Sequence, residues 1–126
     1  MAEKTILSWS GGKDSAMAFK ELSHDPRYKI TSLLTTITEG YDRVSMHGVR
    51  VSLLEQQASS LGLPLIKVSI PQAATNEQYE SAMRKVLTKA LADGVGSVAF
   101  GDVFLEDIRA YREEKLSEAG MKAVFP

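Results

Sequence analysis

Thr5-Ile6-Leu7-Ser8-Trp9-Ser10-Gly11-Gly12-Lys13-Asp14-Ser15 is the stretch on which the fold turns. Thr5 to Trp9 reads as a short buried strand that stops at the small residues Ser10-Gly11-Gly12. A helix follows from about Ser15, with Ala16, Phe19 and Leu22 on one face. A strand that runs through a glycine turn into a helix is the opening of a crossover unit.

The same alternation continues to the end of the chain. Ile30 to Ile37 is a second strand rich in Thr, Ile and Leu. A loop over 38–45 leads to a helix with Val51, Leu54, Ala58 and Leu61 at helical spacing, closed by Gly62. Pro64 opens a third strand, Leu65 to Ile70. Thr75 and Gln78 have capping-box spacing at the start of the next helix, whose apolar stripe is Tyr79, Met83, Val86, Ala90 and Leu91, with Gly94 closing it. Ser97 to Phe100 is a fourth strand. A fourth helix runs from about Leu105 to Glu118, Gly120 ends it, and Ala123-Val124-Phe125 is a fifth short strand. The connections are too long for hairpins, so the expected fold is α/β: a doubly wound, five-stranded parallel sheet with right-handed crossovers and helices on both faces, Rossmann-like.

Composition bounds the function. The 126 residues fit one domain, 44% of them are hydrophobic and 25% charged, so the chain has the makings of a packed core. Fifteen Lys and Arg stand against sixteen Asp and Glu, a balance that argues against a protein built to coat nucleic acid or an anionic membrane. The absence of cysteine excludes disulfides, thiolate metal sites and a cysteine nucleophile. Met1 to Thr5 moves straight into a strand pattern without a signal-peptide stretch, and no segment is long enough to span a bilayer; a cytoplasmic location is expected.

In a doubly wound sheet ligands sit beyond the carboxyl ends of the strands, where strand order reverses. The windows to inspect are therefore 10–15, 35–47, 71–75 and 101–107. In the first, Gly11 and Gly12 let backbone N–H groups approach a ligand, and the helix N-terminus favours an anion. Ser10 and Ser15 add hydroxyl donors and Lys13 a positive charge. The combination is a phosphate cradle. It is not a Walker A loop, which needs glycine where Leu7 stands and Ser or Thr where Asp14 stands, nor a G-x-G-x-x-G fingerprint.

Ser10-Gly11-Gly12-Lys13-Asp14-Ser15 resembles the SGGxDS PP-loop of the ATP pyrophosphatases, whose fold is that of the adenine nucleotide alpha hydrolase-like (HUP) group. Two further stretches, Glu39-Gly40-Tyr41-Asp42-Arg43-Val44-Ser45-Met46-His47-Gly48-Val49-Arg50 and Gly101-Asp102-Val103-Phe104-Leu105-Glu106-Asp107-Ile108-Arg109-Ala110-Tyr111-Arg112, are similar to the diphthine–ammonia ligase family. The likeness runs from about Lys4 to the last residue. The resemblance implies a single PP-loop ATP-binding domain over 1–126. The activity it implies uses ATP, Mg²⁺ and ammonia to amidate the carboxylate of diphthine on elongation factor 2. An acyl-adenylate intermediate gives diphthamide, AMP and pyrophosphate. The chemical logic is that a carboxylate is a poor acyl donor until adenylation supplies a leaving group.

Roles implied for this chain follow the motifs. Ser10, Gly11, Gly12, Lys13 and Ser15 face the leaving phosphates, and Asp14 and Asp102 are candidate metal ligands and catalytic residues. Thr35, Thr36 and Gly101 border the adenine or ribose. Tyr41, Asp42 and Arg43 bind the second substrate, and His47 and Arg50 are catalytic candidates near the α-phosphate. Structural alternatives stand beside them: Asp102 as a helix cap, His47 as a local hydrogen-bonding group, and Arg109 and Arg112 as members of surface ion pairs. His24 is expected at the surface, Met83 in the core and Trp9 packed near the loop. Family members usually continue into a further region with a Gly-Glu-rich motif, so this chain is expected to correspond to the ATP-binding portion. Exposed edge strands make a homo-oligomer an open expectation. Two other functions remain open at this point: another PP-loop enzyme, such as a tRNA-modifying one, and a nucleotide-binding module without chemistry.

Overall fold

A computed structural model describes residues 2–9, 13–38, 51–71, 75–101 and 106–125, with the backbone alone for 13, 14, 38, 76 and 106–109. Its elements alternate as strand and helix: β1 (Glu3–Ser8), α1 (Lys13–Ser23), β2 (Tyr28–Thr38), α2 (Val51–Leu61), β3 (Leu65–Ile70), α3 (Asn76–Ala92), β4 (Ser97–Ala99), α4 (Glu106–Glu118) and β5 (Lys122–Val124). The five strands form one sheet in the order β3-β2-β1-β4-β5, and every neighbouring pair is parallel. This is the expected α/β fold.

The sheet order follows from burial. β1 is buried on both faces and takes the centre, with Ile6 and Leu7 fully enclosed. Alternation along each strand then builds two cores. On one face Ile6, Leu34, Val68, Ile70 and Val98 pack with Leu87 and Ala90 of α3 and Leu116 of α4. On the other, Leu7, Leu33 and Ala99 pack with Ala18 and Leu22 of α1 and Leu54 and Ala58 of α2.

The helix ends match their sequence signals. Thr75 caps α3: its hydroxyl accepts from Gln78 N–H at 3.2 Å, while Gln78 Oε1 accepts from Thr75 N–H at 2.9 Å. Gly62 and Gly120 follow α2 and α4 with φ of 72° and 80°, a left-handed turn that glycine adopts without a Cβ penalty.

Several expectations shift. β1 begins at Glu3 and ends at Ser8 because Glu3 and Lys4 pair with Tyr28 and Lys29, which also starts β2 two residues early. The buried stripe of α1 is Ser15, Ala18 and Leu22 with Phe19 half-buried, and Ala16 is exposed. In α3, Leu87 takes the core place expected for Leu91, which is 43% exposed. Leu87 and Ala90, with Met83 and Val86 packed against the same core, make a closer i, i+3 ridge toward the sheet than any stripe through Leu91.

Candidate functional site

Strand order reverses at β1. The chain steps from β1 outward through β2 to β3, then returns to lay β4 on the other side of β1. The crevice between the carboxyl ends of β1 and β4 is thus where a ligand belongs in such a sheet. Leu7 of β1 pairs with Ala99 of β4, so the two strands end side by side. The chain leaves one at Trp9 and the other at Phe100-Gly101. The glycine-rich loop begins immediately after Trp9 and enters α1 at Lys13.

The end of β1 is held from three directions. Trp9 N–H donates to Leu34 C=O at 2.8 Å, extending the sheet one residue past the strand. Its ring, 6% exposed, meets Phe19 of α1 edge-on, with centroids 6.4 Å apart and planes at 81°. Its indole N–H donates to Gln57 Oε1 of α2 at 2.9 Å. Trp9 does pack beside the loop, as expected. Sequence reading passed over Gln57, since a glutamine in an apolar helical repeat carries no signal until its partner is known.

Ser15 is buried in the first turn of α1. The N–H groups of that turn lack intrahelical partners, and the helix dipole favours negative charge there. Thr35 stands in the carboxyl half of β2, three residues before its end and one beyond the Leu34 that receives the Trp9 N–H. It is 3% exposed, and its hydroxyl has no hydrogen-bond partner among the described residues. By alternation it shares the face of Leu33, the side of α1 and α2. Thr36 is half-buried beside it, and Gly101 is half-buried after β4. Thr35, Thr36 and Gly101 therefore lie toward the carboxyl end of the sheet, with Ser15 at the start of α1.

The other expected site residues lie outside the described residues. These are Ser10, Gly11, Gly12, Tyr41, Asp42, Arg43, His47, Arg50 and Asp102, and the side chains of Lys13, Asp14 and Arg109. Backbone position still relates two of the motifs to the site. Lys13 and Asp14 begin α1, and the stretch ending at Arg50 runs directly into Val51 of α2, the helix that carries Gln57. Among the described residues no three His, Asp or Glu side chains converge on a common point.

Two expectations outside the crevice resolve clearly. His24 is exposed, its Nδ1 2.7 Å from Lys20 C=O. Arg112 is half-buried, with its guanidinium carbon 4.4 Å from the centroid of the Phe100 ring, so it packs on an aromatic face. No helix among the described residues is long and apolar enough to cross a membrane.

Compared with known families, residues 3–123 match the model of the diphthamide synthase N-terminal domain. No curated protein sequence matches the chain.

Proposed function

From the premise that this chain belongs to the diphthamide synthase N-terminal domain family, we propose that it binds ATP in the crevice between β1 and β4 and serves the AMP-forming amidation of diphthine on elongation factor 2. The family gives the coarser part, a PP-loop ATP pyrophosphatase-like role. The observation that carries the finer reading is the strand-to-helix joint of Ser10 to Ser15 at the reversal point of the sheet.

The residues present suit ATP. The buried hydroxyl of Thr35, without a partner among the described residues, offers a donor and acceptors to a polar ligand beyond the end of β1, and leaving it bare costs about 1–3 kcal/mol. The start of α1 suits phosphate oxygens. In this reading Ser10, Gly11, Gly12, Lys13 and Ser15 hold the departing pyrophosphate, and Thr35, Thr36 and Gly101 border the nucleoside. Asp14 and Asp102 would hold Mg²⁺, which binds through one or two carboxylates together with phosphates and supplies charge neutralisation at the phosphate oxygens.

Tyr41, Asp42 and Arg43 then receive the protein substrate, with His47 and Arg50 toward the α-phosphate. A diphthine carboxylate oxygen attacks the α-phosphorus and pyrophosphate leaves. Ammonia next attacks the acyl carbon, AMP leaves with the carboxyl oxygen, and the amide remains. The domain's share is to hold the reacting groups in line and to neutralise the charge that pyrophosphate carries away.

Calorimetric titration with ATP and Mg²⁺ tests the binding reading. Micromolar affinity, about 8 kcal/mol, is expected. Gly12→Val should abolish it in a folded chain, because a β-branched side chain occupies the approach of the phosphates. Unchanged affinity in that variant overturns the PP-loop assignment. Release of AMP and pyrophosphate that depends on diphthine-bearing elongation factor 2 and ammonia tests the reaction.

A further inference from the structure

The loop between Trp9 and Lys13 hangs from two anchors, the end of β1 and the first turn of α1. The accuracy of a phosphate cradle depends on how firmly its anchors are set. Trp9 is the last residue before the loop and touches three elements at once: β2 through its backbone N–H, α1 through Phe19, and α2 through Gln57.

Of these, the Gln57 contact is the one that packing alone does not require. The indole N–H is a donor only, so Gln57 must present its carbonyl oxygen, which fixes the orientation of the amide. The contact spans 48 residues of sequence and is half-buried. Gln57 also lies in the second turn of α2, after the stretch that ends at Arg50. The same hydrogen bond therefore ties the entry of the phosphate loop to the helix that follows the second motif.

We infer that Gln57 is a positioning residue for the phosphate loop, acting through the indole of Trp9, and that the lone tryptophan reports occupation of the loop. The inference rests on the ATP reading above. Gln57 meets no ligand itself. It holds the ring, and the ring holds the end of β1 from which the chain runs on to Ser10. Because the effect runs through the phosphate cradle, it should separate the two ends of the nucleotide: phosphates feel the loss, the nucleoside end does not.

The test compares the wild-type chain with Gln57→Met, which keeps length and helix propensity but removes the acceptor. Calorimetry with ATP, inorganic pyrophosphate and AMP, each with Mg²⁺, is expected to show ATP and pyrophosphate weakened about tenfold and AMP within about twofold, the scale of one lost hydrogen bond. A merely structural role would weaken all three alike. Tryptophan emission of the wild type should shift on adding pyrophosphate, and the shift should shrink in Gln57→Met.

A double-mutant cycle with Trp9→Phe closes the test. Once the indole N–H is gone, Gln57→Met should cost nothing further. Equal pyrophosphate affinity in wild type and Gln57→Met, or losses that add in the double variant, overturns the inference and leaves the ATP reading standing. A folded wild-type chain that takes up neither ATP nor pyrophosphate overturns the ATP reading, and this inference with it. Should Trp9→Phe not fold, the pyrophosphate response of wild-type emission and the ATP-against-AMP split in Gln57→Met still decide.

Discussion

The two faces of the sheet are built differently. Beside the crevice the α1–α2 face is closed: Leu33 and Leu54 are fully enclosed and Trp9 locks strand to helices, while a groove of about 730 Å³ lined by Phe19, Leu22, Leu61 and Leu63 opens at its far, amino end. On the α3–α4 face a groove of about 360 Å³ runs between the helices, walled by Tyr79, Met83, Leu87, Phe100, Tyr111 and Arg112. The cause is in the sequence of α4. Eight of the thirteen residues from Glu106 to Glu118 are charged, and Leu116 is its buried side chain among those described. A helix with so narrow an apolar stripe cannot press flat against its neighbour.

Polar bridges take over there. The Tyr111 hydroxyl donates to the Glu80 carboxylate across the groove, and Lys115 Nζ stands 3.5 Å from the same group. Phe100, at the end of β4, is stacked on Phe125 at 5.8 Å under the Arg112 guanidinium. The α1–α2 face is thus closed where the chain leaves β1, and across the groove of the open α3–α4 face exposed polar contacts contribute little each.

Core truncation should give the largest difference between them. Leu54→Ala on the α1–α2 face is expected to cost about 4 kcal/mol, toward the upper end for such a change, because the side chain is fully enclosed. Leu116→Ala, beside a groove that solvent already reaches, should cost about 2 kcal/mol. Urea denaturation of both variants checks the order, and equal losses would break the contrast.

The second test uses two buried hydroxyls without partners among the described residues. Thr35 lies in the carboxyl half of β2 and Ser97 at the opposite, amino end of β4. Thr35→Val and Ser97→Ala should each leave stability unchanged or raise it by up to about 1 kcal/mol, since each removes an unsatisfied group. Thr35→Val alone should weaken ATP, by about five- to tenfold in a calorimetric titration. A loss of ATP affinity in Ser97→Ala would show that the effect spreads through the sheet.

Capping comes next. Thr75→Ala removes the hydroxyl that receives the Gln78 N–H and should cost about 1 kcal/mol, read as a lower urea midpoint with ATP affinity intact. That result would confirm that the open face can be weakened without touching the crevice.

The smallest effect is expected from Tyr111→Phe. The hydrogen bond to Glu80 pushes the Tyr111 hydroxyl up to about 12 and holds the Glu80 carboxyl below its ordinary value. With the tyrosine raised in the folded state, its contribution is whole below about pH 10 and is lost as pH rises toward 12. The variant should therefore lose Tm less steeply than wild type between pH 10 and 12. The Glu80 contribution works in the other direction, present above the ordinary carboxylate range and lost as pH falls through it. Parallel alkaline profiles in the two chains would remove the Tyr111 bridge from the account.

What could be read without the structure divides by range. Thr75 with Gln78, and Gly62, Gly94 and Gly120, are local signals. Each acts within a turn or two, and all stand where they were expected. The spacing of apolar residues settled that strands and helices alternate, because side-chain period and hydrogen-bonding geometry are properties of the segment itself. Crossover length then made the sheet parallel. The choice of Leu87 over Leu91, of Ala18 over Ala16, and of Arg112 for the Phe100 ring were decided by neighbours distant in sequence.

The site divides the same way. The sequence alone determined that a glycine turn with serine and lysine joins the first strand to the first helix, and family membership gives that turn its meaning. Only the tertiary structure decided that β4 returns beside β1 and so makes the crevice, that the Thr35 hydroxyl is buried with no partner among the described residues, and that Gln57 receives the Trp9 indole. Those are long-range pairings, chosen by how two packed layers share one sheet, and no local preference encodes them.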